Sequence, residues 1–145
     1  MAHILHKALQ FLQANGTYMP QLAQFADVAL LLMRLLAALI FGWSGVSHLK
    51  DPAGRAKSLG LTVPLTVFIG AAEVAGALGL TFGVLTQYAA LGLIVIMLGA
   101  IWMKAFTWKT GFWGEKASGW HYDLMLATML LVIAAFDGGR WVLRA

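Results

Sequence analysis

The chain has no cysteine. That excludes disulfides, thiol–disulfide exchange by this chain alone, iron–sulfur clusters and cysteine-ligated zinc. It is also short of charge. Asp, Glu, Lys and Arg make up 11% of 145 residues, where a soluble domain carries roughly 25%. Hydrophobic residues make up 61%. So few charges cannot cover so much apolar surface in water, and lipid must be the solvent for most of this single-domain chain. The net charge of +4 is small and scattered, which excludes a nucleic-acid footprint and suits loops that touch anionic headgroups. His3, His6, His48 and His121 lie at or beyond the ends of the apolar runs, so none is placed for buried bis-histidine haem ligation. No glycine-rich phosphate loop follows a strand. Neither a metal site nor a tightly bound cofactor is expected.

What is present is long apolar sequence. The first 25 residues lack a compact apolar core followed by a small-residue cleavage site, so no cleavable signal is expected. Residues 3–14, HILHKALQFLQA, carry His3, His6, Lys7, Gln10 and Gln13 at helical spacing, with apolar residues opposite. This reads as an amphipathic helix too short to span, lying in the interface. Asn15-Gly16 ends it. Four apolar runs follow, at about 26–48, 63–84, 87–106 and 120–137, each near the roughly 20 residues that cross the hydrocarbon core. A spanning segment must satisfy its own backbone, and continuous apolar runs do not suit a barrel. The expected fold is all-α: a four-helix transmembrane bundle after an N-terminal interfacial segment, residues 1–25.

Lys50, Arg55 and Lys57 follow the first run in what reads as a polar loop opened by Asp51-Pro52. The second connection, Leu85-Thr86, is tight and uncharged. The third loop carries Lys109, Glu115 and Lys116 amid tryptophans. Basic residues favour the side of loops one and three, which the positive-inside rule places in the cytoplasm.

Ionisable residues inside the runs are the sharpest functional signal. Arg34 interrupts the first and Glu73 the second. At about 1.5 Å per residue the two come within several ångströms in depth, so a long guanidinium can close an Arg34–Glu73 pair. Such a pair either holds a polar ligand or relays a proton, or else fixes helix register. His48 lies four turns after Arg34 on the same face, with Phe41 and Ser44 along the stripe. Lys104, His121 and Asp123 fall on the same membrane side. Together they form a polar mouth leading down to Arg34 and Glu73, where a histidine and a carboxylate can exchange protons with a quinone. Lys104 and His121 taken singly read better as headgroup anchors, and Trp102, Trp108, Trp113 and Trp120 better as an aromatic belt than as a stacking platform. Ala75, Gly79 and Gly83 form a small-residue strip that serves either packing within the bundle or a homo-oligomer interface.

With these features in order, the chain resembles the DoxX family of small bacterial membrane proteins. The carriers are LLMRLLAALIFGWSGVSHLKDPAG at 31–54, GLTVPLTVFIGAAEVAGALGLTFGVLTQYAAL at 60–91 and GFWGEKASGWHYDLMLATMLL at 111–131. Within them stand Arg34, then Gly42, Ser44 and Gly45, then Glu73 among its glycines. The resemblance covers about residues 27–140. It implies a four-helix domain over 26–140 in a bacterial inner membrane, similar to a subunit of archaeal quinone-linked oxidoreductases acting on thiosulfate. Relatives are labelled oxidoreductases and linked to oxidative or thiol stress. His48 stands where many relatives carry lysine. The leading expectation is an accessory or quinone-interacting subunit of a membrane redox system. Arg34 and Glu73 would form its buried polar core, with His48 and Asp123 at the mouth. Quinone would come from the membrane and electrons from a redox partner protein. A small transporter component and a non-catalytic scaffold are the alternatives.

Overall fold

The computed structural model of the protein describes residues 6, 7, 10, 11, 20–114 and 119–143, and among these it is all-helical. In the expected N-terminal amphipathic helix, His6, Lys7, Gln10 and Phe11 are helical and exposed. Gln10 Nε2 lies 2.9 Å from His6 Nε2. The other positions of that segment lie outside the described residues, as do Glu115 and Lys116.

After a single helical turn at Pro20–Ala23 come α1 (Ala26–Lys50), α2 (Pro52–Leu59), α3 (Val63–Phe82), α4 (Thr86–Trp102) and α5 (His121–Ala135). A π-helical turn, Met103–Thr107, extends α4. Three helices are long and apolar enough to cross a membrane: Ala26–Lys50, Val63–Phe82 and Thr86–Thr107. α5, with 15 residues, reaches about 22 Å, which is short of a hydrocarbon core of about 30 Å.

The surface pattern is that of a lipid-facing protein. Leu32, Leu39, Trp43, Phe68, Val95, Met125 and Leu131 are all exposed, while Arg34, His48, Glu73 and Asp123 are buried. An outer surface this apolar would be a severe aggregation liability in water.

α1 packs along α3, and α4 along α5. The α1–α3 crossing depends on two glycines. A Cβ added at Gly45 would stand 2.6 Å from the Gly70 carbonyl oxygen, and one at Gly70 would stand 2.8 Å from His48 Cβ. The backbones therefore touch, as small residues permit between membrane helices. On α3, Gly76 receives the Leu93 side chain and Gly79 meets Ala89 Cβ. Gly76, with Gly79 of the strip, thus seats α4 against α3, while Gly83 faces Arg34 and Val142. Ala72, Ala75 and Gly79 also line an outward apolar groove of about 760 Å³. The core between the helices is Ala37, Phe41, Leu80, Leu93, Leu126, Leu130 and Ile133.

Arg34 ties the opposite end together. Its Nε donates to the Leu80 carbonyl at 3.0 Å. Its Nη1 donates to the carbonyls of Gly138 at 3.0 Å and Trp141 at 2.8 Å. Leu80 lies in the last turn of α3, and Gly138 follows the end of α5. The last carbonyls of a helix lack intrahelical donors, and each C-terminus carries roughly half a negative charge. Two such ends offset about one guanidinium charge. Gly83 and Gly138, at φ +69° each, leave space beside the arginine that a side chain would occupy.

Gly45→Val is expected to lower the thermal midpoint in mild detergent by several degrees, reflecting about 1–3 kcal/mol of overpacking. Gly42→Ala should change it little, because a Cβ there meets only Ala77 Cβ at 3.6 Å. Arg34→Leu leaves three carbonyls without a donor and should cost on the order of 3 kcal/mol or more. Arg34→Lys, with one compact ammonium, should fall between that variant and the native protein. Size-exclusion profiles of heated samples rank all four proteins.

Candidate functional site

At the end of the bundle away from Arg34, the α1–α3 crossing brings Glu73 level with Ser44 and His48. Ser44 Oγ donates to Glu73 Oε1 at 3.2 Å. His48 Nδ1 lies 3.1 Å from Glu73 Oε2 and 2.9 Å from the Ser44 carbonyl oxygen. A carbonyl can only accept, so Nδ1 carries the proton and shares it between the two oxygens. Both side chains are largely buried, at 8% and 4% exposure. The cluster follows from position: Ser44 and His48 are one turn apart on α1, and the missing Cβ atoms at Gly45 and Gly70 let Glu73 approach them.

A second ion pair stands across from this cluster. Lys104 Nζ lies 2.7 Å from Asp123 Oδ2. Lys104 belongs to the π-helical turn and Asp123 to the first turn of α5. Single π-turns in α-helices commonly mark functional positions. Among the described residues the third ion pair, Arg140–Asp27 at 3.9 Å, is peripheral.

Between the two buried pairs lies a cavity of about 410 Å³. Its polar walls are Ser44, Ser47, Arg55, Glu73, Tyr122 and Asp123, and its apolar walls include Phe41, Trp43 and Met97. Ligand pockets of about 300–1,000 Å³ with a few convergent polar groups are the usual form of a small-molecule site. Among the described residues, no group of three or more His, Asp or Glu converges to hold a metal ion.

Four residues were expected to form one polar path, and the structure divides them. Glu73 and Asp123 come together on the cavity wall, and His48 stands behind Glu73, 3.1 Å from its carboxylate. Arg34 does not join them. The expected Arg34–Glu73 pair is absent: Gly45 faces Gly70 and Glu73, Gly42 faces Ala77, and Arg34 faces Leu80 and Gly83. Glu73 therefore sits near Ser44, ten residues along α1 from Arg34 and about 15 Å away along the axis. The depth estimate failed because counting from a shared loop ignores α2, which occupies most of that connection. Lys104 turns to Asp123 instead of standing alone as an anchor. His121 Nδ1 shares a hydrogen bond with the Phe112 carbonyl at 2.9 Å, and its ring lies against Phe112 and Trp113.

The polar loop of the sequence reading is in fact a helix, and it supplies a site residue that had been passed over. Asp51 Oδ1 accepts from the Gly54 amide at 2.9 Å, Pro52 starts α2, and Gly60 closes it at φ +67°. Asp before Pro, with Gly eight residues on, is a legible helix start and stop. Buried Ala56 seats α2 on the bundle and Arg55 lines the cavity. Tyr122 and Ser47 carried no comparable signal, since only the packing of α1 against α5 brings them together.

Comparison with curated proteins and with solved structures finds no match. Among protein families, DoxX matches residues 29–105. That stretch runs from the first turn of α1 into the π-helical turn, and takes in Arg34, Ser44, His48, Arg55, Glu73 and Lys104. A match over more than half of the chain, on an all-helical fold with three helices able to cross a membrane, establishes that this protein belongs to the DoxX family.

Proposed function

We propose that this small membrane protein binds a membrane quinone in the Glu73–Asp123 cavity as an accessory subunit of a redox system. The observation that carries the reading is a buried carboxylate–histidine pair opening on a ligand-sized cavity near the membrane boundary. A quinone ring is flat and amphiphilic, and it prefers a site with aromatic walls, a few polar groups and access to lipid. Phe41, Trp43 and Tyr122 supply the walls. Glu73 faces the cavity and His48 backs it, so the pair can exchange protons with a ring oxygen through the carboxylate. Reduction of a quinone to the quinol takes two electrons and two protons. The electrons would come from a partner redox protein, and Glu73 with His48 would pass the protons.

We further propose four crossings, with α5 as the short fourth, in a bacterial inner membrane. The ends bearing Lys50, Lys57, Lys104 and Lys109 would face the cytoplasm, and the N-terminal segment would lie in the interface on the other side. Transport has less support. Arg34 is held by three carbonyls about 15 Å from Glu73, so the two charges do not line one path.

The decisive experiment is mass spectrometry of small molecules extracted from protein purified in mild detergent with native lipid. Stoichiometric quinone is expected. Glu73→Gln keeps the shape and one acceptor but loses the ionisable group. It should abolish quinone-linked electron transfer while the folded protein level stays unchanged. A preparation that carries lipid without quinone, or full activity in the Gln variant, would overturn the proposal.

A further inference from the structure

The ionisable groups around the cavity differ in how fully they are satisfied. Glu73 accepts from Ser44 and His48. Asp123 is held by Lys104. Ser47 Oγ donates to the Trp43 carbonyl at 2.9 Å. Arg55 feels the charge of Glu73 but is not closely paired with it. It belongs to none of the ion pairs among the described residues, and its Nε is buried without a hydrogen-bond partner. Tyr122, another donor on the wall, is also exposed.

A buried guanidinium nitrogen without an acceptor costs about 1–3 kcal/mol or more. Among the described residues Thr86 Oγ1 and Asp123 Oδ2 also lack a hydrogen-bond partner, but Asp123 Oδ2 lies 2.7 Å from the Lys104 ammonium, so Arg55 is the charged group left without a close counter-charge at the cavity. Arg55 is also placed by a rigid device: the Asp51 cap, Pro52 and Gly60 hold α2, and buried Ala56 fixes its face. An unsatisfied donor held this firmly on a cavity wall is a site complementary to an acceptor that arrives with the ligand.

We infer that Arg55 is the residue that orients the ligand and selects it by charge. It donates to an acceptor oxygen of the bound ring. This inference rests on the quinone reading and sharpens it. Each carboxylate already faces a base, Glu73 with His48 and Asp123 with Lys104, while Arg55 is a cation in no ion pair, so the cavity favours a ring bearing acceptor oxygens. The oxidised dicarbonyl form satisfies it better than the quinol, whose two hydroxyls arrive as donors. An anionic ring oxygen satisfies it best, because a guanidinium is permanently charged and hydrogen bonds to charged groups are the stronger class.

The test compares two ligands of nearly equal shape by isothermal titration on the full chain in detergent: neutral naphthoquinone, and a hydroxynaphthoquinone that is anionic at neutral pH. The native protein should bind the anion on the order of tenfold more tightly, the size of one charge-assisted hydrogen bond. Arg55→Gln should bring the two affinities together while the thermal midpoint holds. Arg55→Lys, which keeps the charge but loses the fork, should keep part of the preference. That variant carries the test if the glutamine variant does not fold. An unchanged preference in Arg55→Gln, or an equal loss for both ligands, overturns the role of Arg55 and leaves the quinone reading standing. Failure of the native protein to bind either ligand overturns both.

Discussion

Every polar group in this protein is placed by one constraint: lipid offers it no partner. The outward faces of the long helices carry Leu, Val, Phe and Trp, so ionisable side chains can only turn inward, and once inside each must find its counterpart among the other helices. Arg34, Glu73, His48 and Asp123 all obey this, being almost wholly buried. Their partners then dictate which helices adjoin and in what register. The α1–α3 contact is the clearest case. Two glycines bring backbones together at Gly45 and Gly70, and that approach places the His48 ring on the Glu73 carboxylate.

The two ends of the bundle resolve the constraint differently, and the difference separates architecture from function. At one end Arg34 gathers three carbonyls from the tails of two helices and the segment after them. Its Nε and Nη1 find three acceptors between them, and two helix C-termini supply the opposing charge without a carboxylate. A guanidinium engaged in this way by backbone carbonyls serves the architecture. At the other end, two acid–base pairs face each other across open space, with an arginine on a short helix that lacks an acceptor. Residual hydrogen-bonding capacity beside a cavity is what a binding site requires, and here a charged donor, Arg55, supplies it; at the Arg34 end the unpartnered group is the neutral Thr86 hydroxyl beside a smaller cavity of about 270 Å³.

α2 connects these ideas. It is short, polar and wedged between the two helices that make the crossing. It lengthens the route from α1 to α3, which sets their register, and it brings a permanent cation to the cavity wall. The π-helical turn at the end of α4 plays a similar part. The extra residue in that turn rotates Lys104 toward Asp123, and the Lys104 carbonyl also accepts from the Thr110 amide and hydroxyl.

Composition and periodicity alone determined the solvent, the helical class and the long apolar helices, because a bilayer demands continuous apolar sequence and a self-satisfied backbone. They also singled out Glu73, His48 and Asp123, since a charge within an apolar run stands out whatever its neighbours. The resemblance to DoxX was legible for the same reason: the order of charges and glycines along the chain survives without coordinates. Partnership was not legible. Which carboxylate meets which base depends on helix register, and register is set by glycine contacts and by a connecting helix whose length changes every depth count. Thus Arg34 looked like the partner of Glu73 in one dimension and proved to be a cap for two helix ends in three. Arg55 looked like a loop cation and proved to be a cavity residue. Only the tertiary structure could decide this, because a buried polar group's role is defined by the atoms within about 3 Å of it, and nearly all of those come from distant sequence.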